Sequence, residues 1–232
     1  MTKSPFIWLG SGRARRRNVA RKGRLLDQAA RSGLPVPPGG ILLDEFYRIC
    51  LAKGLVEVAG QAVIVPDPVW LHEVLFRDVR FPRLENTVAI RPAAGRGAND
   101  AIEKERVRMA VDLDDPQQLA EALRAVWSMM LVDDKAQRCD LLLMEMVAVA
   151  VAGKAVTEEQ TERDQIQLLG RDRDAAFAMD KIHTFQRATA ELPAYARRLQ
   201  KLLRGFRRSF GKGDWRFDWA DDGHICWLLQ IY

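Results

Sequence analysis

From Leu192 to Phe210, apolar side chains at Tyr195, Leu199, Leu202, Leu203, Phe206 and Phe210 recur at helical spacing, and the run stops at Gly211. Two strand-like stretches follow at once, Trp215 to Ala220 and His224 to Ile231, around the turn Asp221-Asp222-Gly223, a good hairpin signal. Elsewhere too, helices and strands mix without strict βαβ alternation, so the expected class is α+β. The chain has 232 residues, 48% hydrophobic and 29% charged. A chain of this length buries roughly 70–75% of its unfolded surface, enough for one domain or two small ones without disulfides or a structural metal. This composition excludes global disorder and collagen-like or low-complexity classes.

The rest of the chain reads as short elements. A helix over Arg24–Ser32, with Leu25, Leu26 and Ala29 on one face, ends at Gly33. The turn LPVPPGG cannot continue it, because proline fixes φ and lacks the amide hydrogen. Ile41-Leu42-Leu43 reads as a short strand, and Asp44 as the cap of a helix burying Phe46, Ile49 and Cys50. LVEV and AVIV flank Ala59-Gly60 as a hairpin, and Asp67-Pro68 opens a helix with Trp70, Leu71, Val74 and Leu75. Thr87–Ile90 and Arg106–Val111 read as strands separated by the loop RPAAGRGAND. Asp115-Pro116 starts an amphipathic helix with Leu119, Leu123, Val126, Trp127 and Met130. Leu141–Val151 reads as a buried strand pair or one long bent strand, and Ile166–Leu169 as a further strand before a polar loop.

Several function classes fall away. The longest nearly apolar stretch, Leu141–Ala152, contains Glu145 and stops at Gly153-Lys154, short of the roughly twenty residues a bilayer requires. The start, MTKSPFIWLG, is not a secretory signal. Cys50, Cys139 and Cys226 are odd in number, form no C-x-x-C pair, and read as reduced thiols of a cytoplasmic protein. Gly211-Lys212 lies one residue too far from Gly205 for a phosphate loop, and Gly213 stands where a hydroxyl would bind magnesium. Gly10-Ser11-Gly12 lacks the helix of a dinucleotide fingerprint, and His72, His183 and His224 are isolated. Net charge is +5, but residues 1–24 hold eight bases and no acid, leaving 28 bases against 31 acids elsewhere. The basic stretch Arg13–Arg24 carries no aromatic residue for base stacking. A solvated arm or a partner-facing surface is the stronger reading, and nucleic-acid contact through phosphates the weaker.

Asp218 and Gln230 stand on the two strands of the closing hairpin. Across a tight hairpin such a pair can share a face, where a carboxylate and an amide oxygen are hard ligands suited to Mg²⁺. On spacing alone, a polar pair on an ordinary solvated sheet face explains them better.

Four segments, in order, resemble the nucleotide-binding domain of the phosphoenolpyruvate synthase and pyruvate phosphate dikinase family. They are KGRLLDQAARSGLPVPPGGILLDEFYR (22–48), VAIRPAAGRGAND (88–100), MEMVAVAVAGKAVT (144–157) and WRFDWADDGHICWLLQ (215–230). VDLDDPQQLAEALRAVWSMM is similar to the family's helix at that place. The resemblance implies an ATP-grasp-like α+β architecture of two lobes, 1–140 and 141–232, with mixed or antiparallel sheets, flanking helices and ATP held between the lobes. It implies that Lys22 and Arg91 hold ATP phosphates and act in catalysis, and that Met144, Glu145 and Met146 form the adenine edge. By the same resemblance Asp218 and Gln230 bind Mg²⁺. Departures are equally plain: Arg216 replaces an acid two residues before Asp218, Pro92 and Ala93 replace hydroxyls, and Met144 replaces an amide. A glycine-rich loop with its glutamate is missing from LLGRDRDAAF. The sequence carries neither the family's phosphohistidine domain nor its pyruvate-binding barrel, so the expected role is an ATP-binding phosphotransferase module acting with a protein partner that carries the phosphate acceptor. The alternative is a degenerate, non-catalytic scaffold or regulatory subunit, and the weaker one nucleic-acid binding through the basic segment.

Overall fold

A computed structural model describes residues 4–93, 107–131, 138–170, 175–211 and 213–232. Among the described residues the fold is α+β, with every strand pairing antiparallel. The chain divides into two compact units, Met1–Arg24 with Pro38–Met146 and Leu25–Pro37 with Val147–Tyr232. Helix α1 (Arg21–Arg31) runs from the first into the second.

The first unit is built on a five-stranded sheet of β1 (Phe6–Trp8), β2 (Gly39–Leu42), β5 (Val88–Pro92), β6 (Arg108–Val111) and β7 (Leu141–Glu145), in the order β1-β2-β7-β5-β6. A separate hairpin joins β3 (Glu57–Ala59) and β4 (Ala62–Ile64) around Ala59-Gly60, as the sequence suggests. Helices α2 (Asp44–Ala52), α3 (Pro68–Glu73) and α4 (Pro116–Leu131) complete the unit, with a π-helical turn at Val74–Asp78 extending α3. Leu42, Val88, Ile90, Leu141 and Leu143 from the sheet and Phe46, Leu71, Leu75, Leu119, Leu123 and Trp127 from the helices belong to one buried cluster. Tyr47 and Phe46 pack on Trp127 with ring centroids 5.1 and 6.2 Å apart. Helix starts follow local chemistry. Asp67 accepts the Trp70 amide, and Asp115 accepts those of Gln117 and Gln118.

Asp44 departs from expectation. Leu43 occupies the cap position of α2 with no side-chain cap bond. The buried Asp44 carboxylate instead accepts the Cys139 amide at 3.0 Å and pairs with Arg48 at 2.7 Å.

The second unit carries β8 (Val151–Thr157), β9 (Arg163–Leu169), β10 (Ala176–Asp180), β11 (Trp215–Asp221) and β12 (Cys226–Ile231), in the order β10-β9-β8-β11-β12. Helix α5 (Ala194–Phe210) lies on one face, with Phe206 edge-on to Phe217 at 4.3 Å and Tyr195 stacked on Trp219 at 6.3 Å. Gly211 ends α5 at φ 81°, a conformation that favours glycine. Two buried carboxylates tie this helix to the sheet. Asp221 takes Arg198 through both oxygens at 2.6 and 2.7 Å, and Asp164 takes Arg207 at 2.9 and 3.1 Å. Gly153 is required by packing, since a Cβ there would lie 2.4 Å from the Gln167 carbonyl and 2.8 Å from the Trp219 ring.

The apolar run Leu141–Val151 is neither a strand pair nor one bent strand. It leaves β7 at Glu145 and enters β8 at Val151, and the two strands belong to different sheets. β10 occupies part of the stretch read as a polar loop. Among the described residues no helix is long and apolar enough to cross a membrane. All three cysteines are free and buried. Burial pushes the Cys50 thiol up to about 12 and Cys139 to about 11, and raises Cys226 as well.

Candidate functional site

In the first unit, register brings Arg91 and Met144 together on one part of the sheet, and the helix turn that bears Lys22 is tied to the end of β5. Val88 and Ile90 point into the buried cluster, so Ala89 and Arg91 face the opposite side, opposite Met144 and Leu142 of β7. Arg91 Nη2 reaches the Met144 sulfur at 3.6 Å. Lys22 lies half-buried in the first turn of α1. That turn is fixed by Gly23, whose amide donates to the Ala93 carbonyl at 3.4 Å. A Cβ on Gly23 would sit 2.8 Å from Val19 and 3.2 Å from Ile41, so only glycine allows so close an approach. The contact ties the turn bearing Lys22 to the residue two beyond Arg91.

A hub of charges holds the strand end itself. The Asp140 carbonyl accepts the Ala93 amide at 2.9 Å. Its fully buried carboxylate accepts the Asp44 amide at 2.8 Å and the Nε and Nη2 donors on one edge of the Arg138 guanidinium at 3.0 and 3.1 Å. Arg138 also donates to Glu45, as does Arg17 from the basic N-terminal stretch, each at 3.2 Å. Burial raises the Glu45 pKa, but its backbone bond and these two arginines outweigh burial and hold it below the usual value. The basic stretch is thus a packed turn, with Ala14 and Val19 buried and Arg17 committed to Glu45 and the Ser4 carbonyl.

Beyond Met144, the residues expected at an adenine edge serve the fold. Glu145 accepts the Glu85 amide at 2.8 Å and the Asn86 side chain at 3.1 Å, and the Met146 sulfur accepts the Ala110 amide. The amides of Glu145 and Met146 donate to the carbonyls of Pro38 and Thr87. The loop expected after Arg91 lies outside the described residues from 94 onward, as do residues 171–174, where the glycine-rich loop is missing in sequence. A groove of about 370 Å³ between β6 and α4, lined by Arg108, Gln118, Glu121 and Arg124 among others, includes none of the expected residues.

In the second unit, Asp218 and Gln230 pair directly across β11 and β12, with a bulge immediately after Asp218. On its other side Asp218 pairs with Lys154 of β8, which in turn pairs with Gln167 of β9. Directly opposed residues of an antiparallel pair place their Cβ atoms about 4.5–5.5 Å apart on one face. Arg216, two residues before Asp218 with no intervening bulge against β8, is exposed on that same face. The Tyr232 hydroxyl donates to Asp218 Oδ2 at 2.8 Å. Alternation places Phe217 and Trp219 on the side of α5, so this face is the polar one. No sequence signal couples Lys154 to Asp218, because the register that joins them is a long-range property of the sheet.

These residues do not fit a resident divalent ion. Mg²⁺ needs near-octahedral oxygen ligation with carboxylate charge. Asp218 is the single carboxylate of the group, shares one oxygen with Tyr232, and stands beside Lys154 and Arg216. A doubly charged ion about 5 Å from one such cation meets a repulsion of roughly 2–7 kcal/mol at effective dielectric constants of 80 to 20. Among the described residues no three His, Cys, Asp or Glu converge as a metal set.

No protein-family model matches the chain, and no curated protein matches it. Among solved structures it is similar to the D-alanine–D-alanine ligase of Bacillus anthracis complexed with ATP, with 10% identity, 96% of this chain and 56% of that chain covered, and a TM-score of 0.47. It is similar to the L-amino acid ligase of Bacillus licheniformis at 12% identity, covering 93% and 40%, TM-score 0.46. A third similar structure is the carboxyaminoimidazole ribonucleotide synthase of Aspergillus clavatus complexed with ATP, at 13% identity, covering 93% and 44%, TM-score 0.46. The chain thus spans 40–56% of the length of these three proteins.

Proposed function

We propose that this chain is a nucleotide-binding module of ATP-grasp type, akin to the ATP-binding part of phosphoenolpyruvate synthase and pyruvate phosphate dikinase, which offers its bound nucleotide to a phosphate acceptor on another protein. One observation carries the reading. Arg91 bonds the buried thioether of Met144 on one side, while its strand end is tied to the turn bearing Lys22 on the other. An apolar surface for a base and one cation therefore share a face of the sheet, and the turn that bears the second cation is tied to the end of the same strand. In this reading Lys22 and Arg91 neutralise phosphate charge, most strongly as it builds during transfer. Met144 packs against the base. The committed amides of Glu145 and Met146 leave carbonyl oxygens, which accept from an exocyclic amine, as the polar edge.

A second reading has its own observation. Glu145 and Met146 are engaged in internal bonds, and Arg216 and Lys154 flank Asp218, as in a scaffold that has ceased to transfer phosphate. Thermal unfolding with and without ATP separates the two. Ligand at a hundred times its Kd contributes about 2.7 kcal/mol. For a chain of this size the midpoint rises by about 5–10 °C. The nucleotide reading expects that rise in the wild type and its loss in Arg91→Ala; an unchanged midpoint with millimolar ATP favours the scaffold.

A further inference from the structure

We infer that the polar face of the second sheet is a polyphosphate site that works without a resident metal ion: Lys154 and Arg216 take the charge, while Gln230 and Gln167 donate amide hydrogens. The inference deepens the nucleotide reading and rests on it for the ligand class, the polyphosphate of a nucleotide. Its ground is the register. β11 pairs with both β8 and β12, so Lys154, Asp218 and Gln230 lie in one row across the sheet, with Gln167 continuing that row on β9. Arg216 stands two residues along the same strand, on the same face. With Arg216 counted, the patch holds two cations to one carboxylate.

Asp218 has a different task from ligating a cation. Its Oδ2 accepts the Tyr232 hydroxyl at 2.8 Å, while the Tyr232 amide donates to the Arg216 carbonyl at 2.9 Å. The carboxylate thereby holds Tyr232 beside Arg216, and it stands in register with Lys154 on the neighbouring strand. Gln230 is buried, which limits its motion and pre-sets the direction of its amide. Phosphate oxygens carry the negative charge such a row lacks, and lysine and arginine supply it with charge-assisted hydrogen bonds. A free polyphosphate is more negative than its magnesium complex, so this face favours the free form.

Isothermal titration of the full chain with ATP, in excess Mg²⁺ and in EDTA, tests the inference, with the circular dichroism of each variant checking its fold. The expected result is binding in EDTA at least as tight as in Mg²⁺, and about tenfold weaker in Lys154→Gln. Asp218→Asn keeps an acceptor for the Tyr232 hydroxyl and removes the one negative charge beside the cations, so it is expected to bind ATP in EDTA more tightly than the wild type. Arg216→Glu is expected to weaken binding in EDTA and to make it respond to Mg²⁺. Binding that requires Mg²⁺ and disappears in Asp218→Asn overturns the inference and leaves the nucleotide reading standing. So does binding that Arg91→Ala abolishes but Lys154→Gln and Arg216→Glu leave unchanged. Absence of ATP binding by the wild type under both conditions overturns the inference and the nucleotide reading together.

Discussion

The two sheets share one plan, five antiparallel strands, yet they use it in opposite ways. In the first, β2 is buried at every residue and β7 at all but its last, so these strands are apolar on both faces. In the second, β9 alternates exposed and buried residues, with Asp164 and Ile166 inward and Arg163, Gln165 and Gln167 outward. Strands covered on both sides leave only their ends for chemistry; Arg91 stands on the neighbouring β5, where buried and half-buried residues alternate, next to that strand's end. A strand covered on one side leaves a whole face, and Lys154, Arg216 and Asp218 stand on it. Two sheets of equal strand number but different strand order thus place the candidate residues near a strand end in one unit and on a face in the other.

The largest effect expected on this contrast comes from the hub beneath Arg91. Asp140→Ala strips a fully buried carboxylate from Arg138 and from the Asp44 amide, and should cost about 3–5 kcal/mol in urea unfolding. Next comes Leu143→Ala, in the middle of doubly covered β7, at about 3 kcal/mol by the same measurement. A cost under 1 kcal/mol there would mean that β7 is not sandwiched, and the contrast would fail.

Acid offers a smaller effect confined to the second unit. The Ile225 amide, then the Trp227 indole and the His224 amide, hold Asp222 at about 2 against an ordinary 3.8. A carboxyl depressed on folding stabilises the folded state above its unfolded pKa and loses that contribution as pH falls from about 4 to about 2. The stability–pH curve of Asp222→Asn should be flatter than the wild type's across that window and parallel to it above pH 5. Smallest of all is Gln165→Ala on the open face of β9, expected within about 0.5 kcal/mol of the wild type. A larger loss would show that this face is packed rather than open.

The same contrast explains what the sequence made legible. Helix α5 and the closing hairpin were readable because a 3.6-residue period and an Asp-Gly turn are local signals, and the Asp218–Gln230 pairing follows from the hairpin. The passage from β7 to β8 was not, because the apolar run contains no proline or glycine between Leu141 and Val151 to mark the change of sheet. β1 has three residues and β10 is mostly exposed, so neither carries a strong hydrophobic pattern. Asp44 looked like a cap because a carboxylate before an apolar run satisfies helix amides in most settings; here a distant amide, that of Cys139, takes it. Asp140 and Lys154 act through partners remote in sequence, Ala93 and Asp218, and long-range pairing leaves no mark on the neighbouring residues.

Amide hydrogen exchange of the full chain with and without saturating ATP tests the account most directly. Nucleotide binding at the places described predicts added protection over 88–93 and 141–146 of the first sheet and over β8, β11 and β12 of the second, with the β3–β4 hairpin unchanged. Protection confined to the groove between β6 and α4, or none anywhere, would contradict it.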